Sequence, residues 1–125
     1  MEESNDHIKK TILVAEDVES NFLLLKALLA KTYNLLHAYN GSEAVEMFDN
    51  NQPDLILMDV KMPVMDGLEA TRIIRQKSTE IPIIALTAFA FDQDRIRVME
   101  AGCNDFLTKP LSPPLLKETI IKYLK

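Results

Sequence analysis

The sequence predicts an α/β domain, a doubly wound parallel sheet of five strands with five helices distributed over both faces. Three observations carry that expectation. Short apolar runs such as Leu55-Ile56-Leu57-Met58 read as strands buried on both sides, as in a parallel sheet. Between these runs, apolar residues recur at three- and four-residue spacing, the period of an amphipathic helix. No two-residue turn joins two strand-like runs directly, so each strand reaches the next through a helical crossover.

In chain order, residues 1–9 are polar and are expected to form a frayed segment or linker, with one domain over 10–125. Thr11-Ile12-Leu13-Val14-Ala15 is the first strand and runs into Glu16-Asp17. A helix follows from about Glu19 to Lys31, with Phe22, Leu25, Leu28 and Leu29 on its inner side. Asn34-Leu35-Leu36-His37-Ala38 is a short strand stopped by Asn40-Gly41, and Ser42 is the expected N-cap of a helix that buries Ala44, Val45 and Phe48. The third strand, Asp54 to Asp59, is followed by a turn through Val60-Lys61-Met62-Pro63-Val64-Met65. Asp66 and Glu69 then make a capping box for a helix burying Leu68, Ile73 and Ile74. Pro82 to Thr87 is the fourth strand. Asp92 is expected to cap a helix through Val98 and Met99 that Gly102 ends. Asn104 to Thr108 is the fifth strand, running into Lys109-Pro110. Ser112-Pro113 starts the last helix, with Leu116, Ile120 and Leu124 inward.

Composition narrows the function. The chain has 125 residues, 47% hydrophobic and 26% charged, enough for one core of useful size. A net charge of −5 argues against a nucleic-acid partner or an anionic membrane surface for this chain by itself. The single cysteine, Cys103, has no partner for an internal disulfide and reads as a core residue. A polar, acidic N-terminus and the lack of a long apolar run predict a cytoplasmic domain.

Parallel strands present their carboxyl ends on one edge, where ligands of open α/β sheets bind. Here those ends carry Glu16 and Asp17, Asp59, Thr87 and Lys109. Each alone has an ordinary reading, as a capping turn, a strand-end hydroxyl or a solvated charge. Together they make a site. Converging carboxylates repel unless a cation neutralises them. An all-oxygen acidic set without His or Cys suits a hard divalent ion, Mg²⁺ before Zn²⁺. Thr87 and Lys109 supply a hydroxyl and a point charge suited to phosphoryl oxygens, and Asp59 between them is a candidate nucleophile for phosphoryl transfer.

Four motifs, in order and on the expected elements, are Leu13-Val14-Ala15-Glu16-Asp17, Met58-Asp59-Val60-Lys61-Met62-Pro63-Val64-Met65-Asp66-Gly67, Ala85-Leu86-Thr87-Ala88 and Asp105-Phe106-Leu107-Thr108-Lys109-Pro110. With these the chain resembles the response-regulator receiver domains of two-component signalling from about Lys10 to Leu124. The resemblance, and not the residue pattern, implies the flavodoxin-like strand order 2-1-3-4-5. It also implies that Asp59 accepts a phosphoryl group from a phosphohistidine of a histidine kinase or phosphotransfer domain. Asp17 and Asp59 would bind Mg²⁺ with the backbone carbonyl of Lys61, and Glu16 mainly through water. Thr87 and Lys109 would hold the phosphoryl oxygens, with a cis Lys109-Pro110 bond. Thr87 and Phe106 would be the switch residues, acting on the surface of the fourth helix, fifth strand and fifth helix.

Two positions depart from the family's commoner pattern. Glu16 stands where Asp is usual, and Phe106 lacks the hydroxyl of the usual Tyr, which puts in doubt any switch step that needs it. Phe89 and Phe91 are expected on or near the surface. The run Glu16-Asp17-Val18-Glu19-Ser20-Asn21 and the segments Gly67–Arg72 and Ala101–Pro110 resemble receivers attached to hybrid sensor kinases. That origin is the first expectation, a free-standing regulator the second, and a phosphate-independent docking pseudo-receiver the third. A flavin binder would want a Ser/Thr/Gly-rich loop where the acidic Glu16–Glu19 stands. An aspartyl-phosphate hydrolase would usually carry an acid at position 61, which is Lys61; slow loss of the chain's own phosphate is expected, and turnover of an outside substrate is not. A P-loop nucleotidase would need Gly-Lys-Ser/Thr, which is lacking.

Overall fold

The apolar runs form a five-stranded parallel sheet in a computed structural model that describes residues 9–88 and 92–124. Strands β1 (Thr11–Ala15), β2 (Asn34–Ala38), β3 (Leu55–Asp59), β4 (Ile83–Thr87) and β5 (Asp105–Thr108) alternate with helices α1 (Glu19–Leu29), α2 (Gly41–Asn51), α3 (Gly67–Lys77), α4 (Asp92–Ala101) and α5 (Pro113–Leu124). The order β2-β1-β3-β4-β5 is the one the resemblance implied. Winding therefore reverses between β1 and β3, and a crevice opens at the carboxyl ends of those two strands.

Strand periodicity divides the core. Leu13, Ala15, Ile56, Met58, Ile83 and Ala85 face one way and pack with Ala44, Leu68, Ile74, Val98 and Ala101 of α2, α3 and α4. Ile12, Val14, Leu55, Leu57, Ile84 and Leu86 face the other and pack with Leu25, Leu29, Leu116 and Ile120 of α1 and α5. The central strands β3 and β4 are buried throughout, which is why their sequence is apolar without alternation.

Most expected boundaries hold to a residue or two, and the differences have local causes. Asn40, rather than Ser42, caps α2: its extended backbone aims the side-chain oxygen at Glu43 N–H, 2.8 Å away. Gly41 then enters the helix against the Met65 and Asp66 carbonyls, where a Cβ has no room. Helix α1 stops at Leu29, two residues short of Lys31, because the N–H groups of Thr32 and Tyr33 turn back to the Leu29 carbonyl. Asp54 lies outside β3 and accepts from Thr11 N–H at 2.7 Å. Asp92 is the first residue of α4 rather than its cap, and Ile73 is half-buried, not buried. Asp66 caps α3 through Glu69 N–H at 2.8 Å, as expected. Gly102, at φ +114°, ends α4 in a Schellman arrangement: its N–H bonds Met99 O, and Cys103 N–H bonds Val98 O. The expectations for residues 1–8 and for Phe89 and Phe91 lie outside the described residues. No helix among the described residues is long and apolar enough to cross a membrane.

Truncating Leu57, sealed between β3 and the α1/α5 layer, removes contacts that no neighbour can replace. Leu57→Ala is expected to lower unfolding free energy by about 3 kcal/mol. Leu24→Ala, on the open side of α1 at 54% exposure, should change it by less than about 0.5 kcal/mol. Urea titrations of both variants check this, and equal losses would contradict the assignment of faces.

Candidate functional site

Every strand end that the sequence marked arrives at the crevice between β1 and β3. Glu16 N–H extends the ladder by one bond to Ala38 O, 2.9 Å, and the chain then leaves the sheet at Asp17. Ligand oxygens of Glu16, Asp17 and Asp59 all lie within 4.8 Å of one another. Glu16 and Asp59 are 1% and 5% exposed, whereas Asp17 is open to solvent. Pairing of Thr87 with Thr108 sets Lys109 one residue beyond β5, with its N–H on the Thr87 carbonyl at 2.8 Å. From there the Lys109 ammonium reaches Glu16 Oε1 and Asp59 Oδ2, each at 3.2 Å. Thr87 is buried beside them. Glu16, Asp17, Asp59, Lys61, Thr87 and Lys109 line a single cleft of about 210 Å³.

The chain after β3 is shaped to keep Asp59 in place. Gly67 N–H bonds Val60 O at 2.9 Å, and a Cβ on Gly67 would collide with the Asp59 carbonyl. Only glycine lets the start of α3 come this close to the strand end. Lys61 N–H donates to Asp59 Oδ1 at 3.3 Å, so one oxygen is held by backbone and the other by Lys109. The loop between them turns through Val64 at φ +70°. Neither acidic residue after β1 caps α1, whose N-cap is Val18 with no side-chain bond. Instead Glu16 Oε2 accepts from Val18 N–H at 3.2 Å and from the Asn21 amide at 3.5 Å. The Lys109-Pro110 bond is cis, as the resemblance implied.

Electrostatics follow from the count. Three carboxylates face one ammonium, a formal charge of −2 (three negative, one positive) that a single divalent cation would cancel. Burial, and then the neighbouring Glu16 charge, push Asp59 up to about 6, against the smaller pull of Lys109. Lys109 is itself raised: burial lowers it, but Asp59 and Glu16 together outweigh that. Burial beside a second acid raises Asp59, and two acids around one cation raise Lys109. The donor set is all oxygen, compact and open on the Asp17 side, which fits a hard divalent ion that keeps part of its water.

Comparisons with known proteins agree with this geometry. The family model described as the response regulator receiver domain matches residues 12–121. The chain belongs to that family. It is 39% identical to the polar-differentiation response regulator DivK of Brucella anthropi over 92% of this chain and 96% of that one. Among solved structures, it resembles the receiver domain of sensor histidine kinase PA1611 of Pseudomonas aeruginosa. There the TM-score is 0.87 and the identity 36%, over 94% and 98% of the two chains, and that structure holds a magnesium ion in its active-site cleft. It also resembles the receiver of Saccharomyces cerevisiae Ssk1, solved with the histidine phosphotransfer protein Ypd1: TM-score 0.88, 32% identity, 93% and 89% coverage. This receiver is therefore a domain of two-component signalling.

Of the two expected switch residues, Thr87 stands in the cleft and Phe106 outside it. The Phe106 ring is half-buried against the α2–α4 side of the core, with the Arg95 guanidinium of α4 5.2 Å from its centre. That cation–π contact was not legible in the sequence, and neither were the close approach of Gly67 nor the amide of Asn21 on Glu16.

Because Asp59 is raised in the folded state, its share of stability is complete below its unfolded value near 3.8 and is lost as pH rises through about 6. Metal-free Asp59→Asn should therefore melt above wild type at pH 7.5, by about 2–5 °C, with the gap closing toward pH 4.5. Melting curves in EDTA across that range test the sign. A variant less stable than wild type at pH 7.5 would show that Lys109 outweighs burial.

Proposed function

We propose that Asp59 is the phosphoacceptor of this receiver, that the ion its acidic cluster takes is Mg²⁺, and that the donor is a phosphohistidine on a histidine kinase or phosphotransfer domain. The observation that carries this reading is Asp59 itself. It is a buried carboxylate at the switch point, held by Lys61 N–H on one oxygen and the Lys109 ammonium on the other, within 4.8 Å of the Glu16 and Asp17 carboxylates. In the transfer, an Asp59 oxygen attacks phosphorus in line and the new O–P bond forms as the P–N bond breaks. The leaving imidazole keeps the electron pair of that bond. Bound Mg²⁺ would supply charge neutralisation, without which the acids repel the incoming phosphate.

Glu16, Asp17, Asp59 and the Lys61 carbonyl would hold the ion. Lys109 and the Thr87 hydroxyl would meet the phosphoryl oxygens, and Thr87 with Phe106 would carry the change to the surface of α4, β5 and α5. Residues 1–9 would serve as a linker, and the domain would work in the cytoplasm.

The test is intact-protein mass after incubation with acetyl phosphate. One phosphoryl group is expected on wild type with Mg²⁺, and none with EDTA or in Asp59→Asn. An adduct that survives either change would overturn the assignment. No adduct at all, under several donors and a fast quench, would make the chain a phosphate-independent docking receiver.

Two architectures fit the relatives. The PA1611 receiver, 36% identical, favours a hybrid-kinase module, and DivK, 39% identical with 96% of its length covered, favours a free-standing regulator. An immunoblot of the native source distinguishes them. A band near 14.2 kDa means a free-standing regulator, and one far larger means a module of a longer chain.

A further inference from the structure

The acidic turn is anchored from a strand that contributes nothing to the cleft lining. Past its bond to Ala38 O, Glu16 leaves the sheet, and its carbonyl oxygen is met by a side chain: His37 Nε2 of β2, 2.8 Å away. A carbonyl only accepts, so Nε2 carries the donated hydrogen. Neighbours on two sides fix the ring itself. Phe22 of α1 stacks on it at 3.7 Å and 7°, and Tyr39 meets it edge-on at 4.0 Å and 78°. The Tyr39 hydroxyl is tied in turn to Glu19 in the first turn of α1, at 3.2 Å.

We propose that His37 is a positioning residue for the metal-binding turn, acting through the Glu16 carbonyl. The inference rests on the Mg²⁺ reading above. The Glu16–Asp17 peptide is planar, so anchoring its oxygen fixes the plane from which both Cα atoms, and hence both carboxylates, depart. The Glu16 side chain is already held at both oxygens, by Lys109 on one and by Val18 N–H and Asn21 on the other. His37 is the tie on its carbonyl. Asp17, open to solvent, depends most on that tie. Groups that orient metal ligands from behind cost roughly 10-fold or more in metal affinity when removed.

Three proteins separate this role from plain packing. His37→Phe keeps a flat ring against Phe22 and loses the donor. His37→Gln loses the ring and places an amide N–H where Nε2 stood. By calorimetry, Mg²⁺ should bind His37→Phe about 10-fold more weakly than wild type. His37→Gln should recover most of that loss, even if its melting temperature is the lower of the two. Equal affinity in wild type and His37→Phe, or equal weakening in both variants, would overturn the proposal. Ring nitrogen shifts of wild-type His37 give a check that needs no variant to fold: the Nε2–H form supports it and the Nδ1–H form refutes it. A wild type that binds no Mg²⁺ while showing the Nε2–H form would sink the metal reading and the positioning role with it. Mg²⁺ binding that ignores the His37 donor sinks the positioning role alone.

Discussion

Two buried carboxylates share one ammonium, with a third carboxylate at the rim, where the sheet reverses its winding, and the surrounding chain holds that imbalance instead of relieving it. Left to itself, such a cluster would spread apart or take up a proton, and Asp59, raised first by burial and then by the Glu16 charge, shows the second tendency. What prevents the first is the sheet. β1 and β3 are adjacent strands with apolar layers on both faces, so the residues at their ends have no freedom to separate. Stability drawn from the whole core is used to keep like charges within reach of one another, a frequent feature of functional sites.

Backbone contacts refine what the sheet imposes. The start of α3 presses on Asp59 because residue 67 lacks a Cβ, and Lys61 N–H reaches Asp59 Oδ1 because the loop folds back at that point. Glu16 is tied at both carboxylate oxygens and at its carbonyl, by Val18 N–H, Asn21 of α1, His37 of β2 and Lys109 just beyond β5. Among the described residues nothing ties Asp17 in this way, and it faces solvent. A rigid inner acid beside a solvated outer one would let a hydrated cation exchange at the rim while the inner acids stay in place.

Much of this was legible in the sequence, because a polar residue closing an apolar run marks a strand end and parallel strands bring those ends together. Glu16, Asp17, Asp59, Thr87 and Lys109 could be gathered on one edge by that rule alone. The strand order could not, since the alternation of strand and helix does not say which strands are neighbours; it came from the resemblance. Misplacing the α2 cap at Ser42 has a tertiary cause: Gly41 packs against Met65 and Asp66, residues far along the chain, and that contact starts the helix early. His37 gave no signal, because a histidine in an edge strand looks like an ordinary surface residue until α1 lays Phe22 on it. Arg95 was equally silent, since its contact with Phe106 needs α4 and β5 side by side.

The same charge count indicates how a signal could leave the site. A phosphoryl group on Asp59 replaces a single negative charge with about two, spread over oxygens that want donors. Lys109 is already close, and Thr87 stands at the end of β4 with its carbonyl bonded to Lys109 N–H. Any shift that brings the Thr87 hydroxyl to the phosphate must therefore be absorbed by the ends of β4 and β5. Phe106 lies on β5 opposite Ala85 of β4, and its outer side is covered by Arg95 of α4. A charge change in the cleft would thus act on two strand ends, and the aromatic ring beside them is in contact with a surface helix. Such a route would need no phenolic hydroxyl at position 106, because a cation over a ring couples to the ring itself.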